Sequence, residues 1–187
     1  MPLEVDLARL EALLALRAPT TLSTLSRPAT DADIGSLETS FGADLRPEVQ
    51  TLLRWHNGCE QRIEGLQLWP GFYFIGTERI LSEWTSRNEV LQDYPESGWN
   101  PRWLPIASDW CGGHLVVDHT PGNGGGDVFA AFLIDGRRGL PIEGGHIANL
   151  QDLIGEVLAS LENGRTVDAH NPRIVDGYVS WVLDPSL

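Results

Sequence analysis

The sequence predicts an α+β fold, with N-terminal helices, a central mainly antiparallel sheet and a C-terminal amphipathic helix packed on the sheet. Three observations support this. Apolar residues recur at helical spacing in the N-terminal part, short aromatic or alternating segments joined by turn dipeptides fill the middle, and one long helical stripe returns at 150–161. Helices, then hairpin-linked strands, then a covering helix is the order of an α+β domain, whereas a Rossmann-like arrangement needs strands and helices in regular alternation.

The elements follow in order. Leu3, Leu7, Leu10 and Leu14, widened by Leu13 and Leu16, mark an amphipathic helix that must end before Pro19. The polar stretch 19-PTTLSTLSRPAT-30 reads as a connection. Thr30 with Asp33 three residues on is an N-terminal capping pattern for a short helix through Ile34, Leu37 and Phe41, with Gly42 as its left-handed stop. Pro47 suits the first turn of a third helix, PEVQTLLRWHNG, ended by Asn57-Gly58. Segments 66–69 and 72–75 read as strands around Pro70-Gly71, and Thr77 as the cap of a helix running to about Arg87. Further strands are expected at 103–107, 114–118 and 127–134, the last two joined by a glycine-rich turn and only partly covered on their second face. Asn149 caps the final helix, whose stripe runs through Leu150, Leu153, Ile154, Val157, Leu158 and Leu161 to Asn163-Gly164. In the remaining segment, YVSWVL is a candidate edge strand.

Composition bounds the function. At 187 residues with 42% apolar and 21% charged, the chain suits one domain, 1–187. Its core is expected at about 30–163, with the helix of residues 1–18 and the segment 165–187 as additions. The two cysteines, Cys59 and Cys111, form no CxxC pair and suggest neither a disulfide framework nor a zinc ribbon; free, mostly buried thiols in a reducing cytosol are expected, although the two could pair. Acidic residues interrupt the N-terminal helix, so it does not read as a signal peptide, and no apolar run is long enough for a membrane span. A cytoplasmic protein without membrane contact is the expectation. The net charge of −13 disfavours nucleic acid and favours basic protein partners.

The stretch 109-DWCGGHLVVDHTPGNGGGDV-128 concentrates the chemistry-bearing residues. PGNGGGD lacks the Lys-Ser/Thr of a phosphate loop and lies between two strands, where no helix N-terminus can meet an anion. His114 and Asp118 share a strand face while His119 points to the other, which argues against a metal site. Cys111 and His114 are separated by two glycines typical of a tight turn rather than a thiol–imidazole pair, and nothing fixes the separation of Glu60 and Glu64 for glycosidic chemistry. No catalytic residue, metal ligand or cofactor is assigned.

Several pieces in this order carry a family resemblance: the helix ending in Asn57-Gly58, Pro105-Ile106-Ala107, Asp109, Gly112-Gly113, Leu115–Asp118, a Pro-Gly loop, and Gly126-Asp127-Val128. Over roughly residues 30–163 the chain resembles the SUKH superfamily, in particular its Smi/Knr branch of cell-wall assembly regulators and bacterial immunity proteins. The resemblance implies an α+β fold without catalytic apparatus, and either an immunity protein that neutralises a cognate basic toxin, such as a nuclease, or a regulatory adaptor. Aromatic anchors and an acidic rim would serve such contacts, because interfaces draw on Trp and loops carry recognition. Trp69, Asp109, Trp110, Asp118 and Asp127 are therefore the candidate protein-binding residues, with the three aspartates expected to rim the glycine-rich turn.

Overall fold

Helix α1 (Leu3–Arg17) buries Leu3, Leu7, Leu10 and Leu14 on one stripe, as the spacing requires. Leu16 does not extend that stripe: it is 81% exposed, because the neighbouring structure covers only the narrower face. The computed structural model describes residues 2–122, 126–132, 136–142 and 145–185.

The stretch expected as a connection contains a helix, α2 (Pro19–Thr24), with Pro at its first turn. Its threonines are poor helix formers, so local propensity gives no sign of it. Tertiary contacts hold it instead: the Thr20 N–H donates to the Gly177 carbonyl at 2.8 Å, and the Thr21 hydroxyl accepts from the Val179 N–H at 2.9 Å.

Helix α3 (Asp31–Phe41) opens with the reciprocal capping box of Thr30 and Asp33 and stops at Gly42, whose φ is +74°. Helix α4 (Pro47–Trp55) buries Val49, Leu52 and Leu53 but ends before Asn57-Gly58. Those two residues serve the next helix, α5 (Thr77–Asp93), which runs six residues past the expected Arg87. The Asn57 side chain accepts from the Thr77 N–H at 2.7 Å, so the cap comes from Asn57 rather than from Thr77 itself. The two segments touch backbone to backbone. A Cβ on Gly58, whose φ is +79°, would stand 2.2 Å from the Gly76 nitrogen, and one on Gly76 would stand 2.2 Å from the Asn57 carbonyl oxygen.

Strands β1 (Gln67–Trp69), β2 (Phe72–Phe74), β3 (Trp103–Ser108), β4 (His114–Asp118), β5 (Val128–Phe132) and β6 (Gly136–Arg138) form an antiparallel meander in that spatial order. Pro105 has no N–H to donate, and the register shifts between Pro105 and Ala107, a bulge that admits proline to an inner strand. Beyond β6, strands β7 (Pro141–Ile142) and β8 (Gly145–His146) pair with each other. Residues 133 and 134 of the expected 127–134 strand lie outside the described residues.

Both faces of the central strands are covered. Leu115, Val117, Val128 and Ala130 join the main core with the helices, while Val116, Phe129 and Ala131 form a second cluster closed by Trp99 and Trp103. The second face is thus more deeply buried than the sequence pattern suggests. Helix α6 (Leu150–Asn163), capped by Asn149 and stopped by Gly164 at φ +70°, lays its apolar stripe against α1 and β1. The segment YVSWVL is β10 (Tyr178–Leu183). It does not join the main sheet: it pairs with β9 (His170–Val175) in a separate hairpin that packs on α2 and α6. The sequence order thus yields the expected mixture of helices, antiparallel sheet and covering helix.

Candidate interaction surface

The turn between β3 and β4 is built by Asp109. Its Oδ1 accepts from the N–H groups of Cys111 at 2.8 Å and Gly113 at 2.7 Å, while its own N–H donates to the Gly113 carbonyl at 3.1 Å. This closed turn holds Trp110 at φ +63° and Gly112 at φ +97°. The left-handed region costs a non-glycine residue roughly 1–2 kcal/mol, so surrounding contacts must hold Trp110 there.

Tyr73 and Gln61 supply those contacts. The indole stacks on Tyr73 of β2, with centroids 4.0 Å apart and planes 12° from parallel, and its N–H donates to Gln61 Oε1 at 3.0 Å. The Trp110 residue remains 47% exposed. Of the seven tryptophans, Trp55, Trp69, Trp84, Trp99, Trp103 and Trp181 all pack in or against the two cores. Trp110 is the one at the surface.

Beneath the turn lies a chain of charges. The Arg87 guanidinium, buried in α5, donates to the Gly112 carbonyl and to His114 Nδ1 at 3.3 Å. His114 Nε2 lies 3.0 Å from Glu83, and Glu83 pairs with Arg79 at 2.5 Å. Burial, reinforced by the Arg87 charge, lowers the His114 pKa against the opposing pull of Glu83. None of Arg87, Glu83, Tyr73 or Gln61 is singled out by sequence. Arg79, Glu83 and Arg87 show only helical four-residue spacing, which reads as an exposed ion ladder.

The other end of β4 has different company. The Asp118 carboxylate is buried and accepts from the Thr120 N–H at 2.7 Å, so it shapes the start of the loop. Asp118 and Asp127 are joined through backbone, the Asp118 N–H donating to the Asp127 carbonyl at 3.0 Å. His119 is held between the Arg46 N–H, 3.2 Å from Nε2, and the Val117 carbonyl, 3.1 Å from Nδ1. With Nε2 accepting, the proton sits on Nδ1. Burial lowers the pKa of His119 also.

The candidate residues therefore do not form one rim. Asp109 and Trp110 sit at one end of the β3–β4 ladder, whereas Asp118 and Asp127 sit at the other, where Trp103 pairs with Asp118. Asp127 is exposed at that far end. Trp69 is 0% exposed, its indole N–H 3.4 Å from Asp168 Oδ2, so its ring belongs to the core and cannot meet a partner in the folded chain. Proximity to the Pro70-Gly71 turn misleads here, because α6 covers β1.

Both nitrogens of His114 and of His119 are engaged by fixed neighbours. Among the described residues no three His, Cys, Asp or Glu side chains gather as a metal site. Glu60 and Glu64 share Arg62, at 3.1 and 3.6 Å. Cys59 is buried as expected and its thiol is pushed up to about 12 by that burial, but Cys111 is free and exposed, because it sits in the β3–β4 turn. Among the described residues, no helix is long and apolar enough to cross a membrane.

An antiparallel meander clasped by helices, with an exposed aromatic turn, defines the chain as an α+β protein. Residues 28–150 match the SMI1/KNR4 family (SUKH-1), and the chain belongs to that family. No curated protein matches the chain.

Proposed function

We infer that the chain is a non-catalytic protein-binding domain of the cytoplasm that neutralises a basic toxin domain by covering its working surface. The observation that carries this reading is Trp110, an exposed ring fixed in position on a chain of net charge −13. A rigid aromatic anchor loses little entropy on binding, and an acidic surface steers a basic partner and competes for its nucleic-acid groove. Family membership agrees with an inhibitor role. Asp109 and Trp110 are the proposed centre of the contact, and Asp127 an outlying charge. Trp69 and Asp118 are left out because both are buried. The reading treats residues 1–187 as one unit around the family core.

Co-expression with the toxin encoded by the adjacent open reading frame tests it. Survival of the host and a purifiable complex are expected. Equal killing with and without the chain, and no complex, would sink the reading. The same family match also suits a regulatory adaptor. That alternative predicts a stable complex with a host protein in cells carrying no toxin gene, and no protection in the co-expression assay.

A further inference from the structure

The Trp110 ring has one face committed and one face open. Tyr73 backs it at 4.0 Å, Gln61 holds its N–H, and the Asp109 side chain and Arg87 fix the backbone of the three residues that follow it. Apolar burial does not explain this placement, since the ring stays 47% exposed while six other tryptophans pack inward. Left-handed backbone, four directional contacts and an open π face together describe a preorganised aromatic platform.

The surroundings of the platform are acidic. The segment that supplies Gln61 also carries Glu60 and Glu64, which share the single cation Arg62. Burial, then Cys59, raise the Tyr73 phenol pKa, and the Glu64 charge is near enough to add to that rise. Asp109 begins the turn itself. Ile63, exposed in the same segment as Gln61, adds apolar surface suited to an aliphatic stem. An indole face carries the negative pole of the ring quadrupole, and nearby carboxylates deepen that potential.

We propose that the open face of Trp110 is a seat for a cationic side chain, an arginine or lysine presented by a protein partner, with Glu60, Glu64 and Asp109 supplying the surrounding negative charge. The proposal rests on the reading above that the chain works by binding protein, and it names the chemistry of the contact. Arginine fits best, because its planar guanidinium stacks on an indole while its edge N–H groups reach carboxylates. An apolar partner residue would use the ring but gain nothing from the carboxylates.

The test uses the full chain, labelled with nitrogen-15, at low ionic strength. It is titrated with a blocked Gly-Arg-Gly-Arg-Gly peptide, with the same peptide carrying neutral citrulline for arginine, and with one carrying leucine. The indole N–H signal of Trp110 is identified by its loss in Trp110→Phe. Saturable movement of that signal and of the Gly112 and Gly113 amide signals is expected with the arginine peptide, with binding about 2- to 5-fold weaker for the citrulline and leucine peptides and, read from those two amides, for Trp110→Ala with the arginine peptide. Equal affinity for the three peptides, or an unchanged affinity in Trp110→Ala, would overturn the seat. The two readings fail separately. Loss of toxin protection with the peptide response intact removes the neutralisation reading alone. A toxin complex that forms equally well with Trp110→Ala removes the seat, and with it Trp110 as the centre of the contact, while neutralisation by another part of the surface stands.

Discussion

Arg87 donates to Nδ1 of His114 across 3.3 Å, and this contact settles the protonation of the imidazole. Arginine has no acceptor, so Nδ1 must offer its lone pair, and the ring proton sits on Nε2 facing Glu83 at 3.0 Å. A second proton would turn an acceptor into a donor aimed at a guanidinium.

Stability should therefore fall with acid. The pKa values of His114 and His119 are both lowered in the fold, chiefly by burial. The unfolded chain consequently binds more protons than the folded one just below the ordinary histidine value of about 6.5. Stability from these groups is complete above that pH and is lost as pH falls through the lower folded values. Urea unfolding at stepped pH from about 7.5 to about 5, across the histidine range, checks this. A double variant, His114→Gln with His119→Gln, should show a flatter slope over that window, and an identical slope would refute the assignment.

Removing the guanidinium should loosen the turn above it. Arg87→Met keeps a stem of similar length but leaves the Gly112 carbonyl and His114 Nδ1 without their donor. A loss of about 2–4 kcal/mol in denaturant unfolding is expected, since buried polar groups stripped of partners cost about 1–3 kcal/mol each. Fluorescence quenching by acrylamide should also rise at Trp110, read as the difference between Arg87→Met and the same variant carrying Trp110→Phe.

The backbone contact between Gly58 and Gly76 should tolerate no side chain. Gly76→Ala places a methyl 2.2 Å from the Asn57 carbonyl oxygen, and Gly58→Ala adds the burden of φ +79°. Each should cost at least about 2 kcal/mol, whereas Gly35→Ala in α3, with open space around it, should stabilise by about 0.5–1 kcal/mol. Melting temperatures of the three variants decide the matter.

The two thiols should separate cleanly by reactivity. Exposed Cys111 should react at once with a thiol reagent near neutral pH, and buried Cys59 only after denaturation. Two equivalents titrated in the native state would contradict the burial of Cys59.

How far these features were legible in the sequence depends on whether their causes are local. The Thr30–Asp33 capping box, the Gly42 and Gly164 stops and the stripe of α6 arise within a few residues, and each is found where the pattern places it. Helix α2 and the β9–β10 hairpin depend on each other across more than 150 residues, through Thr20 and Asp176, and no window of sequence contains both. The same distinction holds at the surface. Asp109 ahead of Gly112-Gly113 announces a turn, so Trp110 could be placed at its tip. Its support by Tyr73, Gln61 and Arg87 required the strand order. Trp69 sits beside an equally clear turn, but a helix from far along the chain covers it, and Asp109 and Asp118 look adjacent only until β4 is seen to hold them at opposite ends.

The clasp between α1 and α6, seen also in the pairing of Arg9 with Glu162 at 2.8 Å, has a consequence for biosynthesis. Helix α1 can meet α2 and α4 early, but its α6 mate comes 153 positions later, so the α6-facing part of its leucine stripe emerges from the ribosome well before its cover. At roughly 5–20 residues per second that wait lasts several seconds, during which α2 and α4 are the partners α1 has to pack on.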